Sequence, residues 1–396
     1  MAKARYKKDT QESIFGHFLY DQVLPRKHFL VKARHTIEWG RFDKKLLKYY
    51  QGGAEYGKPP YAPSKMLRML MLSYLYDISE RESEEFTNLN LAAKYFVGLG
   101  VDEKAPDHSS LSVFKQRIID RVGLKGYESM FNELLKEAIK KGVKFGQIQI
   151  VDSVHTVADV NIDKDRIRQK KGKAPRDKDA RWGVKRVKEI KGKGGKRKKI
   201  KESFYGYKTH VSYNQEVRMA TALKVSSGNK ADNKEMTTLV NKDRKVGIAK
   251  GGKLKKDLRK KKIIVSGGTA YTGDKGYDDG ENHEFLEARL MHSAIMLKDK
   301  RTSSKQEENN KAWKKFKQRD IYQKATGLRY QVEQPFGIAK KWHGFARCRY
   351  VGKTKMAIQA YMTFMAMNLK QIIKLKCGVP FRNGYGIAYA KAKSPG

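Results

Sequence analysis

Gln147-Ile148-Gln149-Ile150-Val151-Asp152 is the stretch that decides the fold. Apolar residues at 148, 150 and 151 make a short buried-strand run that stops at a carboxylate. Downstream, Lys208–Tyr213 and Arg218–Val225 read as two more strands, joined by a polar turn at Asn214–Glu216. Ile263–Val265, or Ala270–Gly273, supplies another strand just before Asp274. Helices are expected around Asn282–Leu290, Tyr322–His343 and Lys355–Leu375. Strands followed by helices on a mixed sheet indicate an α/β or α+β domain.

Upstream of this stretch the chain reads as helical. Pro63 and Ser64 precede Met66, Leu67, Met69, Leu70, Leu72 and Leu75, an apolar stripe at helical spacing. Ser79 and Glu82 form a capping box that opens a helix running to about Phe96, which Gly98 and Gly100 end. Pro106–Ser110 turn the chain into a third helix, Leu111–Arg121, and a fourth runs from Tyr127 to Lys141 and stops at Gly142. Short capped helices of this kind resemble a helix-turn-helix arrangement, with Lys115, Arg117 and Arg121 on the face available to DNA. The expected organisation is a helical N-terminal DNA-binding or dimerisation domain over 1–143, a catalytic domain over 144–376, and a polar C-terminal tail over 377–396.

Charge narrows the function. Lys and Arg number 86 against 42 Asp and Glu, a net charge of +44. Such an excess bears on partners rather than fold, and nucleic acid is the first partner it indicates. Residues 164–201 hold nineteen Lys or Arg against four acids, and 242–262 hold eleven against two. Both contain Gly clusters and are expected as basic loops that order on a phosphate backbone. Met356–Leu369 carries Gln359, Thr363 and Asn368 and is too short to span a bilayer, so no membrane role is expected. The N-terminus lacks the apolar core and cleavage site of a leader. Cys348 and Cys377 make neither a CxxC pair nor a disulfide framework. A reduced cytoplasmic protein is the expectation. There is no P-loop and no GxGxxG motif.

Three separated carboxylates carry the chemistry. Arg329, Glu333 and Lys340 stand at spacings of four and seven. At ~100° per residue all three fall within roughly 40° of one helix direction, holding one carboxylate between two cations. Asp152 and Asp274 each end an apolar run. Carboxylates at neighbouring strand ends, with one more from a helix packed across them, suit a pair of divalent cations about 3.5–4 Å apart that clamps the attacking and leaving oxygens of a phosphoryl displacement. Asp278 and Asp279 compete for the place of Asp274, and Glu333 has Arg329 as an ordinary ion-pair partner at i−4. Pro335, two residues after Glu333, should kink or restart the helix. His155 lacks neighbouring ligand residues, and His343 is expected to pack or to meet phosphate. Trp182 reads equally as a base-stacking ring or a loop anchor in the core.

The local sequences resemble bacterial insertion-sequence DDE transposases. The resemblance runs through Val151-Asp152-Ser153, Asp179-Ala180-Arg181-Trp182-Gly183, Tyr205-Gly206-Tyr207-Lys208-Thr209-His210, Gly228-Asn229 with Asp232, and Gly273-Asp274-Lys275-Gly276-Tyr277. Arg329, Glu333 and Lys340 match that family's R-(3)-E-(6)-K signature, within Val332-Glu333-Gln334-Pro335-Phe336-Gly337. Leu75-Tyr76-Asp77-Ile78-Ser79 and Pro106-Asp107-His108-Ser109 resemble its helical N-terminal domain. The likeness covers roughly residues 15 to 375, and the ordered series is what makes it specific. One position departs: the family's signature opens with Tyr three residues before the Arg, where this chain has Thr326, with Tyr330 or Tyr322 as substitutes.

The resemblance implies an RNase H-like core with a mixed five-stranded sheet flanked by helices. It implies that Asp152, Asp274 and Glu333 are the catalytic, metal-binding trio, holding two Mg²⁺ with Mn²⁺ able to substitute. It implies cleavage at terminal inverted repeats and strand transfer into target DNA, by a homodimer in the synaptic complex, in the nucleoid-associated cytoplasm of a prokaryote. Arg329 and Lys340 are expected at the transposon end, and Arg181, Trp182, Tyr207, Lys208, Lys275, Lys115 and Arg117 as further contacts to double-stranded DNA. The rival readings are another RNase H-fold nuclease such as a junction resolvase, a domesticated DNA-binding protein without catalysis, and a basic RNA-binding structural protein.

Overall fold

The computed structural model describes residues 14–49, 60–191, 197–257, 262–298 and 307–381. They fall into two compact units, one holding the chain through Val143 and from Tyr361 onward, the other Lys144–Ala360.

The first unit is helical. Its helices are α1 (Ile14–Val23), α2 (Phe29–Thr36), α3 (Gly40–Leu46), α4 (Pro63–Leu75), α5 (Glu80–Leu89), α6 (Leu91–Val97), α7 (His108–Val122) and α8 (Lys125–Lys140). Pro63 occupies the first position of α4, where a missing N–H costs nothing. Every residue of α4 is buried, so it is a central helix rather than the amphipathic one its stripe suggested. Its Arg68 is satisfied internally, donating to the Ser64 and Phe96 carbonyls at 3.2 and 3.1 Å. The capping box forms as expected: Glu82 N donates to Ser79 Oγ at 3.1 Å and Ser79 N to Glu82 Oε2 at 2.6 Å. The single helix expected through Phe96 is two, because Asn90 leaves helical φ/ψ and its side chain caps α6 through Ala93 N at 2.9 Å. From Tyr361 the long C-terminal helix α15 (Lys353–Cys377) groups with this unit rather than with the catalytic domain expected through 376. Its Tyr361 hydroxyl donates to Glu128 at 3.4 Å, and Leu369, Ile372 and Ile373 are buried. Past Cys377 the expected loose tail is packed as far as Phe381, whose ring lies 4.9 Å from Phe29 and 5.2 Å from Tyr76. The rest of the tail lies outside the described residues.

The second unit is built on a six-stranded sheet of β1 (Ile148–Val157), β2 (Arg181–Lys191), β3 (Arg197–Asn214), β4 (Met219–Ser227), β7 (Ala270–Gly273) and β8 (His292–Ser293). β4, β3 and β1 are antiparallel neighbours, and β7 then β8 join the other side of β1 in parallel. That order is the RNase H-like one, with β2 added where β3 runs past the end of β1. α10 (Met236–Val246) and α11 (Gly280–Glu287) cover one face, where Val151, Leu239, Val240, Tyr271, Tyr277 and Leu286 form a buried cluster. Asp243 of α10 is fully buried against the sheet and accepts from Ser212 Oγ at 2.6 Å and Tyr271 Oη at 2.7 Å. Burial pushes its carboxyl up to about 6.

Among the described residues, much of the two basic stretches is regular structure rather than loop. Residues 164–201 contain most of α9 (Ile162–Lys170), all of β2 and the start of β3. Within 242–262 lie the end of α10 and β5 (Lys253–Asp257), which pairs with β6 (Lys262–Ser266) in a hairpin outside the main sheet. Val184, Val187 and Ile190 in β2, and Ile263, Ile264 and Val265 in β6, supply the β-branched residues that such strands favour. Lysine-rich composition hid β2 and β5, whereas β6 is one of the two strands expected before Asp274. Gly192, Gly194 and Gly195 lie outside the described residues. The remaining helices are α12 (Glu307–Lys317), α13 (Asp320–Leu328) and α14 (Glu333–Trp342). No helix among the described residues is long and apolar enough to cross a membrane.

Candidate active site

β1 and β7 run parallel with Val151 opposite Gly273. The next residues are Asp152 and Asp274, so their carboxylates stand on adjacent strands where β7 ends, the edge at which open α/β sheets gather ligand groups. Asp274 is strand-terminal as expected and caps the turn Lys275–Tyr277, accepting from Gly276 N at 2.8 Å. Asp152 is not terminal: β1 continues to Val157 because β3 pairs with it that far. A Cβ on Gly273 would meet the Tyr277 ring at 3.0 Å and the Val151 carbonyl at 3.2 Å, so a glycine is what lets the two strands and the turn close here.

Asp152 Oδ1 accepts from Ser153 N at 2.7 Å. Burial pushes its carboxyl up to about 7, against the pull of that hydrogen bond; the charges of Asp274 and Asp232 add to the rise and Arg329 opposes it. Arg329 is the link to the third carboxylate, 3.4 Å from Asp152 Oδ2 and 3.6 Å from Glu333 Oε1. The helix expected over Tyr322–His343, with a kink or restart at Pro335, breaks just ahead of that residue: Arg329–Val332 form a 3₁₀ turn, and α14 restarts at Glu333. Pro335 is the third residue of α14, in the turn whose N–H groups have no helical partner, so the restart suits it. Lys340 does not approach Glu333. Its ammonium lies 3.1 Å from His155 Nε2. Burial and then Lys340 lower His155 to about 4, so the ring is neutral near pH 7 and accepts from the lysine. His343 is fully buried and packs.

The other expected residues scatter. Thr326 Oγ1 donates to the Tyr322 carbonyl of its own helix at 2.7 Å. Of its possible substitutes, Tyr322 is buried and Tyr330 is 64% exposed, so Tyr330 is the ring available to a ligand. Trp182 is 48% exposed beside Arg166 and Tyr205, which makes it a surface ring and not a core anchor. Arg181 is exposed, its guanidinium on the Lys178 and Ala180 carbonyls, and Lys275 is exposed. Tyr207 is corrected: it is fully buried and donates to Asp177 at 2.6 Å. Lys208 is held by Asp232 at 3.0 Å, and in the helical unit Lys115 is held by Glu80, so neither ammonium is a free DNA contact. Arg117 is half-buried on α7.

The competitors of Asp274 have structural duties. Asp278 is buried against His283 at 2.9 Å and Lys298 N at 2.7 Å, and Asp279 caps α11. Among the described residues, the side chains whose ligand atoms all lie within 4.8 Å of one another are Glu84, Asp107 and His108 of the helical unit. These serve each other: His108 Nδ1 is 2.8 Å from Glu84, and Asp107 caps α7. The strand-end carboxylates are not so tightly grouped. Their hard oxygen donors fit a divalent cation of the Mg²⁺ or Mn²⁺ kind. The residue that sequence reading left without a role is Asp232; its one signal was its place in the motif series.

Comparison with known proteins agrees with this geometry. A family described as "Transposase DDE domain" matches residues 144–369, and one described as "Transposase domain (DUF772)" matches 18–117. The transposase for insertion sequence element IS1106 of Neisseria meningitidis serogroup B is 34% identical over 102 residues, which is 26% of this chain and 32% of that protein. The match thus spans about a third of the relative's length. Among solved structures, the Mos1 transposase paired-end complex with left transposon end covers 74% of this chain and 83% of its own at 11% identity, with a TM-score of 0.18. The Mos1 mariner paired end complex with Mn covers 83% and 92% at 12% identity, with a TM-score of 0.19. Superpositions this poor carry no argument.

Proposed function

Because the chain belongs to the DDE transposases, the family match covering more than half of it, we propose that it binds the terminal inverted repeats of a bacterial insertion sequence and catalyses divalent-metal-dependent DNA cleavage and strand transfer into target DNA. The observation that carries this is the pair Asp152 and Asp274 on adjacent parallel strands, with Arg329 joining Asp152 to Glu333. Family membership implies dependence on a divalent metal. Asp152, Asp274 and Glu333 are the residues that would hold it, as two Mg²⁺ or Mn²⁺ ions. When bound, such ions polarise the scissile phosphate and lower the pKa of the attacking water or hydroxyl.

The chain's own groups do the rest. Arg329 holds Asp152 and Glu333 to one guanidinium, which fixes Glu333 on an otherwise exposed helix start. Neutral His155 holds the Lys340 ammonium in place for a phosphate. Tyr330, Trp182, Arg181 and Lys275 are exposed and are assigned to DNA contact. The excess of basic residues supplies the sequence-independent part of affinity. Two DNA ends must be held in one synaptic complex, so the working form is a homodimer on DNA in the prokaryotic cytoplasm.

The test is incubation of the chain with labelled DNA carrying a candidate inverted repeat and Mg²⁺ or Mn²⁺, beside Asp152→Asn, Asp274→Asn and Glu333→Gln. End-specific cleavage abolished by each change, with DNA binding kept, is expected. Cutting of branched junctions without end specificity overturns the proposal in favour of a resolvase. Binding without cleavage in any divalent metal overturns it in favour of a domesticated binding protein.

A further inference from the structure

We propose, resting on the function above, that Asp232 is a fourth carboxylate of the strand-end site and binds the same divalent cation as Asp152 and Asp274. Asp232 opens the 3₁₀ turn Asp232–Glu235, which packs on the 275–277 turn behind Asp274. Asn282 ties the two turns, donating to the Asn233 carbonyl at 3.1 Å and the Tyr277 carbonyl at 3.0 Å. From β3, Lys208 Nζ reaches Asp232 Oδ1 at 3.0 Å and His210 Nδ1 faces the same oxygen at 3.6 Å. His210 stands opposite Ser153, one residue past Asp152. Asp232 is thus fixed between the strand pair that carries Asp152 and the turn that follows Asp274.

Two buried polar atoms mark this as a ligand position. Tyr277 Oη is fully buried and has no hydrogen-bond partner among the described residues. Its pKa is pushed up by burial first and then by the charges of Asp152, Asp232, Asp274 and Glu235. His210 Nδ1 is likewise buried and unbonded, while Nε2 meets Ser226 Oγ at 2.8 Å. Among the described residues Asp232 Oδ2 accepts no hydrogen bond, and Lys208 is the cation on Oδ1. Lys208 pairs with Asp232, and Arg329 with Asp152 and Glu333. A hard divalent cation is the ligand that such a wall of carboxylate oxygens and a buried hydroxyl takes.

The experiment is a Mn²⁺ titration of the full chain without DNA, followed by the EPR signal of the free ion, with folding checked by circular dichroism. Asp232→Asn is expected to weaken Mn²⁺ binding about tenfold, while Asp152→Asn and Asp274→Asn remove it. Lys208→Gln separates a cation ligand from a mere ion-pair partner. It frees the Asp232 carboxylate, and a several-fold tighter Mn²⁺ affinity is expected. Asp232→Asn binding like the unaltered chain overturns the proposal, as does Lys208→Gln binding no more tightly, and the second result decides alone if Asp232→Asn does not fold. If Asp152→Asn and Asp274→Asn both bind Mn²⁺ normally, the site reading itself fails.

Discussion

Arg329 reaches two carboxylates with one planar fork, 3.4 Å from Asp152 and 3.6 Å from Glu333. A lysine keeps the charge but is a point donor that cannot span both. Arg329→Lys should therefore leave the Kd for DNA within about threefold and slow single-turnover cleavage by roughly 10- to 100-fold; equal loss in both would make Arg329 a simple DNA contact. Asp243 makes a second prediction, in stability. Its carboxyl is raised to about 6 in the folded chain by burial, above the unfolded value near 3.8. The neutral form is favoured on folding, so this group's contribution is present below about pH 4 and lost as pH rises through 6. Urea unfolding of Asp243→Asn should show the variant gaining on the parent by ~3 kcal/mol between pH 4 and pH 8; parallel profiles would refute it. At this scale Asp152, Asp274 and Glu333 could be singled out because each carboxylate sits in its own local motif. Tyr207 was not, because its partner Asp177 lies 30 residues upstream, and nothing adjacent to a tyrosine in sequence tells a buried ring from an exposed one.

The elements divide by whether their signals are local. The Ser79–Glu82 capping box and the glycine stops of the N-terminal helices are written within a turn of where they act, and they formed. The β2–β3 ribbon was missed because strand pairing is set by partners far along the chain, and a bulge between Val184 and Arg186 breaks the alternation that would have betrayed it. The broken helix before Glu333 lies between these cases: Pro335 announced a restart, while the 3₁₀ turn at Arg329–Val332 had no signature of its own. That turn sets the direction in which Glu333 leaves the helix. Pro335→Ala should change stability by less than about 1 kcal/mol, since the position tolerates either residue, yet lower the cleavage rate by letting the turn relax. Full activity in the variant would mean that the proline is incidental to the presentation of Glu333.

At the scale of the whole molecule, a net charge of +44 outweighs every other feature of composition. The family was legible here because the order of the motifs along the chain carries it; an interface between copies has no such local pattern. Structure changes what that charge means. Two lysines expected at DNA are engaged inside the protein, by Glu80 for Lys115 and by Asp232 for Lys208. Other exposed cations lie on the β5–β6 hairpin, which stands outside the main sheet with Lys253, Lys255 and Lys256 exposed on β5. Counterion release gives each phosphate contact a slope of ~0.9 in log affinity against log salt. Replacing these three lysines by glutamine should therefore reduce the salt slope by between about 1 and 3, to the same extent for inverted-repeat and unrelated DNA, because backbone contacts carry no sequence information. Cleavage at saturating DNA should stay unchanged, since none of the three touches the strand-end carboxylates. An unaltered slope would remove the hairpin from the DNA path, and a loss confined to the inverted repeat would make it a reader of sequence instead.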